Sequence, residues 1–113
     1  MDSIPSLKVY YDCEHLAEAD VVSVLLGIEE EGIPYDVQAE HCRSVLELAH
    51  KASLNSRLGV GVGISKEGVV LQHEKLDKAA PLFKIKLYQT ELVRKIGANA
   101  ARLVKKMPFK VLD

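Results

Sequence analysis

The apolar run at residues 58–64 constrains the fold of this chain more than any other segment. It has no polar side chain and alternates glycine with branched apolar residues: Leu58, Gly59, Val60, Gly61, Val62, Gly63 and Ile64. A strand with one wet face would alternate apolar with polar residues, so this run indicates a central strand that is covered on both faces. Strands of that kind occur in parallel sheets that carry helices on both sides.

The rest of the chain contains segments that can provide those helices and neighbouring strands. Strand-like segments lie at residues 7–11, 33–37, 69–73 and 82–85, and helical periodicity covers residues 21–31, 44–54 and 90–107. Ser44 and Glu47 fit a capping box at the start of the second helix, and Thr90 can cap the third. The polar face of the third helix, opposite its apolar stripe, carries Arg94, Lys95, Ala98, Arg102 and Lys105. The order βαβαβ-β-βα predicts a three-layer α/β/α fold around a mostly parallel, mixed sheet of about five strands. The turn at residues 65–68 makes the strand after it the one antiparallel hairpin strand.

Composition indicates one domain over residues 1–113, because 48% hydrophobic content in 113 residues is enough for a single core. The net charge of −1 and the absence of tryptophan argue against a nucleic-acid surface or a base-stacking platform. The alternating glycines precede a hairpin rather than a helix, so a phosphate-binding loop is not predicted. Neither a membrane span nor a signal peptide is recognisable, and we expect a cytoplasmic protein with reduced cysteines.

Three glutamates, Glu29, Glu30 and Glu31, stand where the first helix ends before Gly32 and Pro34. The last turn of a helix exposes carbonyl oxygens and carries partial negative charge, so each carboxylate there costs about 0.3–1 kcal/mol. One interpretation is that a cation brought by a partner offsets this cost. The other is a solvated acidic face whose repulsion is screened by salt.

Cysteine and histidine follow both of the first two predicted strands: Cys13 and His15 after the first, His41 and Cys42 after the second. If these strands are parallel neighbours, both pairs lie at the same edge of the sheet. Two cysteines and two histidines can form a tetrahedral zinc site, although the spacing matches no standard finger. A Cys–His nucleophile is a further alternative, for which the sequence identifies no orienting third group.

The last helix carries a run of small residues that includes Gly97 and Asn99. Glycine inside a helix costs roughly 1 kcal/mol relative to alanine, and a covered asparagine amide must find hydrogen-bond partners. We favour tight packing of this helix on the sheet, for which the glycine-rich strand is one candidate place. The alternative is that the amide helps to define a subunit interface.

Four segments together resemble a known family. Residues 9–12, 27–34, 58–65 and 96–105 occur in the order and with the residue types found in the small subunit of the reactivating factors for cobalamin-dependent diol and glycerol dehydratases. The segment containing Gly97, Ala98, Asn99 and Ala100 is the most specific. The chain departs from the family pattern after the first strand, where Cys13 and Glu14 replace a loop with proline and glycine.

The resemblance implies a chaperone subunit rather than an enzyme. In this family the small subunit pairs with a large, actin-like ATPase subunit, and ATP hydrolysis belongs to the large subunit. The complex releases damaged cobalamin from inactivated dehydratase so that intact adenosylcobalamin can bind. Subunit exchange accounts for this release, because the small subunit shares its fold with the medium subunit of the dehydratase.

The resemblance also implies a role for one glutamate. Glu30 matches the family residue that reaches toward a magnesium ion in the large subunit, with Glu29 and Glu31 beside it at the interface. Magnesium and ADP or ATP would then belong to the partner, cobalamin to the client dehydratase, and no cofactor to this chain alone. The alternatives are a structural medium subunit of the dehydratase, or a small zinc or thiol protein. Residence in a bacterial microcompartment and the choice between propanediol and glycerol stay open.

Overall fold

The computed structural model describes residues 5–41 and 44–112, and its helices and strands occur in the predicted order, with bounds within three residues of those predicted. The elements are β1 (Leu7–Asp12), α1 (Val22–Glu30), β2 (Tyr35–Glu40), α2 (Val45–Asn55), β3 (Val60–Ser65), β4 (Gly68–His73), β5 (Phe83–Ile85) and α3 (Thr90–Lys105). A 3-10 turn at Glu18–Val21 leads into α1. Among the described residues, no helix combines the length and apolar character needed to cross a bilayer.

The sheet has the strand order β2-β1-β3-β4-β5, with β1 parallel to both β2 and β3. The strand β4 runs antiparallel to β3 and β5, so it is the one reversed strand. β3 lies at the centre and is buried at every position, as its apolar composition predicts. The helix α2 covers one face, and α1 with α3 covers the other. The predicted three-layer α/β/α fold is therefore confirmed.

The glycines of β3 make room for α2. A Cβ atom at Gly61 would lie 2.3 Å from the backbone nitrogen of Ser53, and one at Gly63 would lie 2.6 Å from that of Ala49. Only glycine allows the helix backbone to come so close to the strand. The predicted packing of the last helix on the sheet is confirmed, because Val93 and Ile96 of α3 share a core cluster with Val62 of β3. The glycine face of β3 is the opposite face, and α2 covers it.

Two glycines bring α3 close to α1 as well. A Cβ atom at Gly97 would lie 2.1 Å from the carbonyl oxygen of Val24, and one at Gly27 would lie 2.0 Å from that of Arg94. The two helices therefore cross with backbone against backbone at a pair of glycines. Ala98, which the helical periodicity placed on the polar face, is fully buried because α3 is covered on several sides at this point.

Asn99 is fully buried and holds the segment that follows α3. Its Nδ2 donates to the Lys110 carbonyl oxygen at 3.2 Å, and its Oδ1 accepts from the Lys110 backbone nitrogen at 2.6 Å. The returning segment places Phe109 edge-on against Phe83, with ring centroids 5.3 Å apart. The buried amide thus finds both partners within the chain, as a covered asparagine must.

Of the two predicted helix N-caps, the structure has one. Ser44 caps α2, since its Oγ accepts from the Glu47 backbone nitrogen at 3.4 Å. Thr90 was expected to cap α3, but it is the first helical residue and Gln89 precedes it. The Gln89 side chain accepts from the Lys86 backbone nitrogen, which tightens the turn before the helix.

Candidate functional site

The glutamates at the end of α1 lie beside cations of α3. Glu30 accepts hydrogen bonds from Nε of Arg94, at 2.7 Å, and from Nη2 of the same guanidinium. Nζ of Lys110 lies 3.8 Å from the other carboxylate oxygen of Glu30. The Gly27–Arg94 backbone contact brings this guanidinium to Glu30, which follows Gly27 by three residues on the same face of α1.

Glu31 is the most enclosed of the three carboxylates, with 10% of its side chain exposed. It accepts from Nε of Arg102 at 3.1 Å and from Nζ of Lys105 at 2.8 Å. Hydrogen bonding to Lys105 is the largest influence on the Glu31 pKa, and together with Arg102 it lowers that pKa despite the opposing effect of burial. Lys105 also donates to the Glu31 carbonyl oxygen at 2.9 Å. It thereby gives a hydrogen bond to one of the backbone carbonyls that have no partner within the helix at its C-terminal end.

Glu29 has a neutral partner. The hydroxyl of Tyr35, at the start of β2, donates to its carboxylate at 2.6 Å. This hydrogen bond, with a smaller effect of burial, raises the pKa of Tyr35 above its usual value of 10.0 because ionisation would place two negative groups together. The tyrosine thus joins the end of α1 to the edge strand.

The charge at the end of α1 is offset within the chain. Sequence reasoning placed Arg94, Arg102 and Lys105 on a solvent face of the last helix and did not connect them with the glutamates. Arg102 and Lys105 follow Arg94 by eight and eleven residues, which places all three on one side of a helix. That shared side was the one indication in the sequence that they could meet the glutamates together. The interpretation of a freely solvated acidic face is wrong for Glu31. The role of Glu30 toward a partner's magnesium stays a prediction.

Glu30 borders an open groove of about 410 Å³ between α1 and α3. Ser23 and Leu26 line one side of this groove, and Arg94 and Lys95 line the other. Of the Glu30 side chain 35% is exposed, and of the Arg94 side chain 51%. The carboxylate is therefore accessible to a group that enters the groove from outside.

A second cluster lies where β1 and β2 end. Because these strands are parallel neighbours, Cys13 follows β1 beside the end of β2, and its backbone nitrogen donates to the Glu40 carbonyl oxygen at 3.0 Å. Sγ of Cys13 lies 3.7 Å from Nε2 of His41, and Nδ1 of His41 lies 3.3 Å from Oε2 of Glu14. The predicted meeting of Cys13 with His41 is confirmed, and Cys42 lies outside the described residues.

His15 belongs to the same cluster through Asp12. Nδ1 of His15 lies 2.8 Å from Oδ2 of Asp12, whose side chain is only 5% exposed. The other Asp12 oxygen accepts from the Glu14 backbone nitrogen at 3.0 Å. The hydrogen bond with His15 is the largest influence on the Asp12 pKa and lowers it, although burial opposes. Donor atoms of Asp12, Glu14 and His15 all lie within 4.8 Å of one another. Sequence reasoning missed both carboxylates, which supply the orienting groups that the cysteine–histidine pairs lacked.

Comparison with known proteins gives matches over nearly the whole chain. The sequence model of the family described as "Dehydratase medium subunit" matches residues 4–110. The chain is 47% identical over 88 residues to the propanediol dehydratase-reactivating factor small subunit of Citrobacter freundii, covering 77% of this chain and 76% of that protein. It is 38% identical over 107 residues to the protein of the same name from Salmonella typhimurium, covering 94% and 89%.

Two solved structures are similar over almost their full length. One is described as "Structure of diol dehydratase-reactivating factor complexed with ADP and Mg2+"; its chain is 34% identical, with a TM-score of 0.85 over 97% of this chain and 100% of that chain. The other is described as "Glycerol dehydratase reactivase", with 28% identity and a TM-score of 0.90 over 96% and 99%. The match extends across all three layers of the fold.

Proposed function

This chain belongs to the family of dehydratase-reactivating factor small subunits, and we propose that it pairs with a large, actin-like ATPase subunit. The complex releases damaged cobalamin from an inactivated adenosylcobalamin-dependent diol or glycerol dehydratase by subunit exchange. The observation that carries this proposal is the 97% coverage of this chain, at 34% identity, by a chain of a diol dehydratase-reactivating factor solved with ADP and Mg²⁺.

In this proposal the chain is not catalytic. The sequence contains no GxxxxGK motif, and the alternating glycines of β3 are buried under α2 rather than exposed to a phosphate. The large subunit holds magnesium and ADP or ATP and hydrolyses the nucleotide. The small subunit contributes its shape, which resembles that of a dehydratase medium subunit, and a carboxylate at the contact between the subunits.

Glu30 is the carboxylate that we assign to that contact. Magnesium is bound through oxygen ligands and takes one or two carboxylates from the surrounding protein. Glu30 lies at an open groove, and its partner Arg94 is itself half-exposed. An exposed ion pair of this kind is worth about 0.2–1 kcal/mol, so exchanging the guanidinium for a metal costs little.

Assembly with the large subunit tests this assignment. Titration of the labelled chain with purified large subunit, with and without magnesium–ADP, should give a dissociation constant at least tenfold higher for Glu30→Gln, or about 1.4 kcal/mol. The matched control is Glu18→Gln at the other end of the same helical segment, where affinity should not change. Circular dichroism should be the same for all three proteins. Equal affinity and equal magnesium response in Glu30→Gln would remove Glu30 from the contact.

A structural medium subunit of a cobalamin-dependent dehydratase is the second candidate. The observation that favours it is the description of the matching family, which names the dehydratase medium subunit. A pull-down of the tagged chain from its native cells, with and without magnesium–ADP, separates the two. Recovery of an ATPase subunit supports the reactivating factor, and recovery of dehydratase large subunits alone supports the structural role.

A further inference from the structure

The strand β2 forms an open edge of the sheet. It pairs with β1 in one unbroken register from Tyr35 to Glu40, and within residues 5–41 and 44–112 no other strand lies beside it. Edge strands are commonly protected from further pairing by proline, lysine or a bulge, and β2 has none of the three. The strand therefore offers its whole length to an added strand.

The backbone groups at this open edge belong to Tyr35, Val37 and Ala39. The carbonyl oxygens of Pro34 and Glu40 point toward β1, where each accepts from a backbone nitrogen at 3.0 Å. Successive residues of a strand direct their backbone groups to opposite edges, so the odd-numbered residues between these two direct theirs outward. Among the described residues, no backbone hydrogen bond reaches the outward groups. Three residues thus present both a donor and an acceptor to solvent.

An apolar groove of about 460 Å³ runs beside this edge, between β2 and α1. Tyr35 and Val37 line it from the sheet, and Val22 and Leu25 line it from the helix. Val22 is 46% exposed although it is a branched apolar residue within a helix. A strand added to β2 would place every second side chain on this face of the sheet, over the groove. The groove shares no lining residue with the one at Glu30.

The part of the chain that forms this edge is acidic. Between Lys8 and Arg43 the sequence has nine acidic residues and no lysine or arginine. The nine are Asp12, Glu14, Glu18, Asp20, Glu29, Glu30, Glu31, Asp36 and Glu40. Beside β2, Glu29 has only the neutral Tyr35 hydroxyl as its partner, and Asp36 is 62% exposed although Lys8 pairs with it. A second copy of the chain would set one acidic edge against another, whereas a basic segment would find complementary charge.

We propose that the edge of β2 binds an extended, basic segment of a partner protein, which joins the sheet as an additional strand. Apolar side chains at every second position of that segment occupy the groove between α1 and β2. Lysines or arginines at the intervening positions lie on the opposite face, where Asp36 is exposed. Main-chain hydrogen bonds supply the affinity of such a contact, and the alternation of side chains supplies its specificity. The contact goes beyond the proposed function, since it uses neither Glu30 nor the nucleotide of a large subunit.

A short fluorescent peptide that alternates lysine with valine is the probe for this surface, and anisotropy during titration with the full-length chain measures its binding. One control peptide has the same residues with the valines grouped together, and a second has glutamate in place of lysine. We expect the alternating lysine peptide to bind with a dissociation constant at least tenfold lower than that of either control. Equal binding of the two lysine peptides would show attraction between opposite charges alone, and it would overturn the proposal, as would no binding of the alternating peptide.

Amide hydrogen exchange locates the bound peptide on the unaltered chain. The outward N–H groups of Val37 and Ala39 should exchange at least tenfold more slowly at saturating peptide. The N–H groups of Asp36 and Gln38 point toward β1 and should change little. Unchanged exchange at Val37 and Ala39 would place the peptide elsewhere and overturn the proposal. Protection of the same two amides by dimerisation of the chain without peptide would assign the edge to a second copy, which also overturns it.

A proline at the edge gives a matched pair of variants. Ala39→Pro removes an outward donor without removing a hydrogen bond to β1, a position at which strands tolerate proline. It should weaken binding of the alternating peptide at least tenfold, with an unchanged circular dichroism spectrum. Ala39→Val keeps the donor and should bind as the parent does. Equal affinity of a folded Ala39→Pro variant would argue against strand addition. These measurements need neither a large subunit nor a dehydratase, so their outcome is separate from that of the reactivating function.

Discussion

One methyl group at Gly97 tests how α1 and α3 are held together. The Cβ of Gly97→Ala would lie 2.1 Å from the Val24 carbonyl oxygen and 2.9 Å from its carbonyl carbon, whereas ordinary contact begins near 3.4 Å. Both atoms belong to the backbone of α1, so no side chain can turn aside. The helices must separate by roughly an ångström, which also draws Arg94 away from Glu30.

The size of the effect is the difference between two terms. Alanine is better than glycine inside a helix by about 0.8–1 kcal/mol, which stabilises the variant. Overpacking a close contact costs about 1–3 kcal/mol, and a clash between backbones falls at the upper end of that range. We expect a net loss of about 1–2 kcal/mol, and each kcal/mol lowers the Tm of a small domain by about 4–8 °C.

Urea denaturation of three variants measures this difference. Ser23→Ala, a partly exposed position in α1, is the control for helix propensity and should leave the chain as stable or slightly more stable. Gly27→Ala should resemble Gly97→Ala, because its Cβ would lie 2.0 Å from the Arg94 carbonyl oxygen. The double variant should lose less than the sum of the two, since both methyl groups separate the same helices. A Gly97→Ala variant about 1 kcal/mol more stable than the parent would refute the close crossing.

Three further changes test other contacts. Glu31→Gln should cost about 1–3 kcal/mol above pH 5, because it removes the charge that Lys105 pairs with. The pKa of Glu31 is lower in the folded chain than its ordinary 4.5. The ionised carboxylate therefore stabilises the folded chain above pH 4.5, and this stabilisation is lost as the pH falls through the pKa of the folded chain. A difference in stability between variant and parent that does not change with pH would contradict this. Asn99→Ala should lower the free energy of unfolding by about 1–3 kcal/mol and speed amide hydrogen exchange near Lys110. Unchanged exchange there would argue against the two hydrogen bonds between Asn99 and the Lys110 backbone. Gly61→Ala should lower the urea midpoint, because its Cβ would lie 2.3 Å from the backbone of α2; an unchanged midpoint would contradict that contact.

The order and layering of the fold could be predicted because they depend on local patterns. The run at residues 58–64 has no polar position, and this is enough to place β3 in the middle of a covered sheet. Ser44 three residues before Glu47 is enough to start α2. The element that packs against each helix could not be predicted in this way. Gly61 and Gly97 each indicate a close backbone contact, but neither glycine identifies the element that makes it.

The candidate sites could be predicted only in part for the same reason. Parallel pairing of β1 and β2 was enough to bring Cys13 to His41. The place of Glu14 depends on how the turn after β1 directs a single side chain, which no period in the sequence reports. The guanidinium of Arg94 reaches Glu30 because α1 and α3 cross at two glycines, and that crossing is a property of the packed helices.

The three glutamates at the end of α1 differ in the contacts within the chain that each would lose on binding a partner. Glu31 is 10% exposed and bound by two cations, so withdrawing it would leave charge unpaired in a partly buried place. Glu29 is joined by the Tyr35 hydroxyl to the edge strand. Glu30 is 35% exposed and is held by the half-exposed guanidinium of Arg94, with Nζ of Lys110 3.8 Å away. These exposed ion pairs are screened by salt and cost little to exchange. The geometry of the chain therefore favours Glu30 over its neighbours as the carboxylate that can leave its own cation for one supplied from outside.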